Sequence, residues 1–138
     1  MSRLVVDTNI IVSSFLTSGP PRQVLNRIRD GQDQLCLSVP ILREYLEVLA
    51  RAGVARELLE VLLSLFEDPE QIIPVVPSRR VTLIRDDPAD NMFLECALEA
   101  QANYIISGDQ HLKRLGTFEG IRILSPKAYL TRMGTAIT

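Results

Sequence analysis

Tryptophan is absent, histidine occurs once, at His111, and cysteine twice, at Cys36 and Cys96, in a chain of 138 residues. A single histidine excludes a centre built on several imidazoles. Two cysteines far apart in sequence exclude the Cys/His spacing of structural zinc. Both cysteines fall in apolar segments and are expected to be buried, reduced thiols of a cytoplasmic protein rather than a disulfide. No apolar run approaches the roughly 20 residues of a membrane helix. After Met1-Ser2-Arg3 the apolar stretch meets Asp7 too soon to make a signal peptide. Charge of one sign is also lacking: 15 Lys+Arg face 17 Asp+Glu, a net charge of −2, which does not announce a nucleic-acid binder. No Gly-rich phosphate loop and no Ser/His/Asp triad competes for attention.

What is present is ordinary in bulk and specific in detail. The chain is 46% hydrophobic and 23% charged, as globular proteins are, and its length suits one domain over residues 1–138 with a core of its own. Thirteen of the 15 cationic residues are arginine. That preference suits bidentate phosphate contacts, although a purely compositional bias would look the same.

Apolar patterning predicts alternating strands and helices. Residues 3–6 read as a buried strand and Ile10–Leu16 as a brief helix. Helix Pro21–Asp30 follows, stopped by Gly31. Leu35–Val39 reads as a strand halted by Pro40, and Ile41–Arg51 as a helix. Helix Arg56–Phe66 carries Leu58, Leu59, Leu62, Leu63 and Phe66 on one face, a stripe expected to join the core and a lesser candidate for a dimer surface. A short strand is expected around Ile72–Val76, then helix Ala89–Gln101, strand 104–107, helix Gln110–Leu115, strand Ile121–Leu124 and helix Pro126–Met133. Strands joined by helical crossovers imply an α/β fold, with a central parallel sheet covered on both faces.

Four acids stand where such a fold gathers residues. Asp7 directly follows the apolar run Leu4-Val5-Val6, where a charge needs a partner, although Asp-Thr-Asn would also suit a helix cap. Asp109 follows Tyr104-Ile105-Ile106-Ser107-Gly108 in the same way, with capping again the bland reading. Glu44 lies at the border of the apolar arc of its helix, whereas Arg43 and Glu47 point away from that arc. In Asp86-Asp87-Pro88-Ala89-Asp90-Asn91, Asp87 reads chiefly as an N-cap and Asp90 as the acid of the first turn; capping would account for both, but Asp90 is favoured as a ligand. Sites in open α/β sheets form outside the carboxyl ends of the strands, where Asp7 and Asp109 fall. Carboxylates gathered there would repel one another unless divalent cations neutralised them, and their hard oxygens suit Mg²⁺ or Mn²⁺. His111 reads as a packing or locally hydrogen-bonded residue, with phosphate contact as the sharper alternative.

Taken together, Val5-Val6-Asp7-Thr8-Asn9-Ile10, Arg43-Glu44-Tyr45-Leu46, Asp87-Pro88-Ala89-Asp90-Asn91 and Tyr104-Ile105-Ile106-Ser107-Gly108-Asp109 resemble the PIN-domain ribonucleases. The similarity is to the branch of toxin components of toxin–antitoxin systems related to VapC-type toxins. It implies a three-layer α/β/α sandwich and Mg²⁺- or Mn²⁺-dependent RNA cleavage. It also implies homodimers and, for a toxin, an antitoxin partner. Asp7, Glu44, Asp90 and Asp109 match the family's acidic quartet, with Thr8, Asn9 and Asp87 as supporting residues. Asp7, Glu44 and Asp90 are expected to hold a first ion. Asp109, with Asp7, is expected to hold a second or to orient water, and Arg22, Arg43 and Arg85 to meet the RNA backbone.

Two other classes are weighed. A phosphotransferase of haloacid-dehalogenase or receiver type also places Asp after its first strand. The dehalogenase pattern, however, wants a second Asp where Asn9 stands, and neither Lys113 nor Lys127 sits directly at a strand end. A PIN-like domain that binds RNA or protein without cutting is the stronger alternative, and the presence of all four acids argues against it.

Overall fold

Leu4, Val5 and Val6 are wholly buried. Successive strand side chains point to opposite faces, so this strand is covered on both sides, as a central parallel strand must be. The computed structural model describes residues 1–81 and 90–135. Its elements are β1 (Ser2–Val6), α1 (Thr8–Leu16), α2 (Pro20–Arg29), β2 (Asp33–Ser38), α3 (Val39–Arg51), α4 (Arg56–Phe66) and β3 (Ile72–Val75), then α5 (Asn91–Ala100), β4 (Tyr104–Ile106), α6 (Gln110–Leu115), β5 (Thr117–Phe118), β6 (Ile121–Leu124) and α7 (Pro126–Arg132).

The sheet order is β3-β2-β1-β4-β6-β5. Every pairing is parallel except β5 with β6. From β1 the chain steps outward to β2 and β3, then returns to the other side of β1 and steps outward again through β4 and β6. Crossovers of one hand that run in opposite directions lay their helices on opposite faces. Accordingly α5 packs across β1 to β4, while α2 packs on β2 and against α7, which rests on β6. The result is the expected α/β/α sandwich.

At the end of the sheet remote from the strand carboxyl termini, Asp33 is fully buried and ion-paired with Arg27 at 2.7 Å. The Tyr129 hydroxyl donates to the same carboxylate at 2.7 Å, which fastens α2, β2 and α7 together. Both cysteines are free and buried. Burial pushes the Cys36 thiol up to about 11 and the Cys96 thiol up to about 12, so neither is a reactive thiolate.

Several local expectations need correction. Val39 does not end the second strand: it opens α3, half exposed, and Pro40 occupies the first helical turn, where its missing N–H costs nothing. The antiparallel strand β5, too short to carry a periodicity, was not anticipated. The α4 stripe joins the core only in part. Leu62 is buried and Leu59 and Phe66 pack partly, but Leu58 and Leu63 are exposed. A groove of about 260 Å³ also opens where Val61, Leu62 and Leu65 of α4 face Phe15 and Leu25. The cap expected at Asp87-Pro88 lies outside the described residues. Asp90 itself has helical backbone angles, φ −68° and ψ −21°, immediately before α5.

Candidate metal centre

β1 and β4 are adjacent, and the chain leaves them in opposite directions. That is the point in an open α/β sheet where the connections diverge and leave a crevice at the strand carboxyl ends. Asp7 leaves β1 there, its backbone N–H bonded to the Ile106 carbonyl at 2.9 Å, and Ser107 leaves β4 beside it. The apolar strands thus dictate both positions: they must be buried, and the residues after them must emerge at the crevice.

Asp7 holds the N-cap position of α1, but its carboxylate forms no capping hydrogen bond. Instead Ser107 Oγ donates to Asp7 Oδ2 at 2.7 Å. The carboxylate is only 5% exposed. Burial pushes its pKa above the ordinary 3.8; the Ser107 bond and the nearby Asn9 N–H oppose the rise, and the charges of Asp109 and Glu44 add to it.

Glu44 projects half-buried from α3, as its border position on the helix predicts, and accepts a hydrogen bond from Thr8 Oγ1 at 2.5 Å. Asp109 does cap α6: its Oδ1 accepts the N–H groups of His111 and Leu112 at 2.7 and 3.3 Å. Capping and ligation are compatible, because the second oxygen is not spent in the cap. Asp7, Thr8, Asn9, Glu44, Val48, Asp90 and Asp109 line one cleft of about 170 Å³. Four carboxylates from four separate segments therefore meet, as expected.

Within the cleft the grouping differs from the expected division of labour. Asp90 was expected to join Asp7 and Glu44. Among the described residues, the group that offers three donor atoms within 4.8 Å of one another is instead Asp90, Asp109 and His111. His111 is the residue that sequence reasoning undervalued. The one available signal was its position two residues after a strand-end acid.

Among the basic residues one further expectation needs correction. Arg22 turns its guanidinium onto the Ser14 and Phe15 carbonyls at the far end of α1, away from the cleft. Arg43 is exposed beside Glu44 on α3. Arg85 and Asp87 lie outside the described residues.

The donor set suits a hard divalent cation. Carboxylate oxygens dominate it, and a buried aspartate flanked by two further acids is a position that positive charge relieves. The family model for the PIN domain matches residues 3–111, a span that runs from β1 to the start of α6 and includes all four acids. The chain belongs to the PIN-domain family. A comparison with curated proteins gives no match. The PIN domain is a nuclease-type fold, and its members are generally metal-dependent nucleases. The cluster of Asp90, Asp109 and His111 is compatible with metal binding in this PIN domain. No helix among the described residues is long and apolar enough to cross a membrane.

Proposed function

We propose that this PIN domain is a Mg²⁺- or Mn²⁺-dependent endoribonuclease that hydrolyses RNA phosphodiester bonds as the toxin of a toxin–antitoxin pair. The observation that carries the reading is the convergence of Asp7, Glu44, Asp90 and Asp109 on one cleft where the sheet connections diverge. These four side chains would hold the metal. When bound, a divalent ion supplies the Lewis acidity that activates water and offsets charge on the departing oxygen.

The rest of the work falls to the chain. Ser107 fixes the rotamer of Asp7, and Thr8 fixes that of Glu44. Asn9, exposed at the start of α1, and Asp87 complete the supporting set. Arg43, exposed on α3, would meet the RNA backbone, a contact that positions the substrate without reading its sequence. The toxin role, a cytoplasmic location and an antitoxin partner follow from the resemblance to VapC-type toxins. A homodimer is supported by the exposed apolar residues Leu58, Val61 and Leu63 on α4.

RNA cleavage assayed with Mn²⁺ for wild type and Asp7→Asn tests the assignment. The wild type cleaves and the variant does not; equal activity in both overturns it. A domain that binds RNA or a protein without cutting would bind RNA normally and take up no Mn²⁺ in calorimetry.

A further inference from the structure

His111 is the second residue of α6, two positions after Asp109, and shares a group of potential metal donors with the cleft residues Asp90 and Asp109. Its Nδ1 lies 3.7 Å from Asp109 Oδ1 and 4.0 Å from Asp90 Oδ2. Two donors that each sit about 2.1 Å from one ion lie about 3 to 4 Å apart, and one donor atom from each of Asp90, Asp109 and His111 lies within 4.8 Å of the other two, close to the separations a shared ion would set. The arrangement is built in. The Asp109 carboxylate accepts the backbone N–H of His111 at 2.7 Å, which ties the imidazole-bearing residue to its neighbouring acid. Asp90 arrives from the start of α5, only 6% exposed, while His111 is held half-buried. Two segments distant in sequence thus bring donors of two chemical kinds together.

We propose that His111 is a nitrogen ligand of the metal site and tilts its selectivity from Mg²⁺ towards Mn²⁺ and the other first-row transition ions. The inference rests on the metal-site reading above and goes beyond the acidic quartet. An all-oxygen site suits Mg²⁺, which gives up its water reluctantly and gains little from imidazole. An imidazole donor favours transition ions over Mg²⁺. The competing arrangement is an imidazolium lodged between two carboxylates. There the ring occupies the place of a cation, and its removal would leave metal affinity unchanged or improved.

The test uses the full chain, as wild type and as His111→Ala, with Mn²⁺ and Mg²⁺ as probes. Mn²⁺ bound to the wild type gives nitrogen coupling in electron spin-echo envelope modulation, and His111→Ala loses it. In calorimetry the variant binds Mn²⁺ about tenfold more weakly, in line with the loss of a supporting group at a metal site. Its Mg²⁺ affinity changes less than twofold. Circular dichroism confirms that the variant is folded, and the wild-type spectrum stands without it. Mn²⁺ bound without nitrogen coupling, equal weakening of both ions, or unchanged or tighter Mn²⁺ binding in His111→Ala overturns the proposal while leaving the nuclease reading intact. A wild type that binds no Mn²⁺ overturns both.

Discussion

Ser107 Oγ donates to Asp7 Oδ2 at 2.7 Å and accepts the Asp109 backbone N–H at 2.9 Å. One fully buried hydroxyl thereby spans the ends of two adjacent strands and fixes the relative placement of two cleft acids. Ser107→Ala leaves an Asp7 oxygen without its donor and a backbone N–H without its acceptor. It is expected to cost about 1–3 kcal/mol in chemical denaturation. In RNA cleavage with Mn²⁺ it is expected to lose about tenfold to a hundredfold, the usual effect of removing a group that orients a metal ligand. Full activity in a destabilised Ser107→Ala protein would show that the hydroxyl serves the fold alone.

Asp7 sets stability against function. Burial raises its pKa above the ordinary 3.8, and Asp109 and Glu44 add to the rise. The sign follows from linkage. Below 3.8 folded and unfolded chains both hold the proton, and the residue has no effect on stability. As pH rises from there through the folded-state value, the unfolded chain releases the proton first, so stability falls and the cost is complete at neutral pH. Asp7→Asn removes that cost. The metal-free variant is expected to melt a few degrees above wild type at pH 7, and the gap is expected to narrow towards pH 4. Excess Mn²⁺ reverses the ranking. At 100 times its dissociation constant a ligand stabilises the wild type by about 2.7 kcal/mol, and the variant gains far less. Thermal melts across pH, with and without Mn²⁺, check all of this.

Asp7 and Asp109 were legible in the sequence because a charge directly after a buried apolar strand has few places to go. The parallel sheet that buries Leu4-Val5-Val6 also dictates where Asp7 emerges. Glu44 was legible from helical geometry, since the border between apolar and solvated faces is a local property. His111 was not. Its neighbour Asp90 stands at the start of another helix, and their approach depends on how α5 and α6 pack against the sheet. The fate of the α4 leucines was equally hidden. An amphipathic stripe reads the same whether it is covered or left open, and only the tertiary packing leaves Leu58 and Leu63 exposed. Val39 failed for a simpler reason: a β-branched residue continues the strand pattern of Leu35 to Ser38, yet Pro40 is accommodated in a helical first turn that takes Val39 with it.

Arg27 separates folding from chemistry. It neutralises the fully buried Asp33 at the end of the sheet away from the cleft, with Tyr129 donating to the same carboxylate. Arg27→Ala strands a buried charge and is expected to cost about 3–5 kcal/mol. Tyr129→Phe removes one hydrogen bond to a charged group and is expected to cost about 1.5–3 kcal/mol. Urea titrations measure both. Cleavage rates normalised to folded protein should match wild type, and a specific loss of activity would mean that this network reaches the cleft.

The α4 helix yields the last prediction. Leu58 and Val61, one turn apart on α4, are exposed at 41% and 49%, an apolar pair that water does not favour and that the described chain does not cover. If α4 forms the homodimer contact, Val61→Glu places two like charges across the symmetric interface, because a two-fold contact presents the same patch from both subunits. The variant should sediment as a monomer at concentrations where the wild type sediments as a dimer. Because Val61 is half exposed, its Tm should stay within a few degrees of the wild-type monomer. Leu62→Ala, one position along and fully buried, acts on the fold instead and is expected to cost about 2–5 kcal/mol. Sedimentation that is identical for wild type and Val61→Glu would remove α4 from the interface.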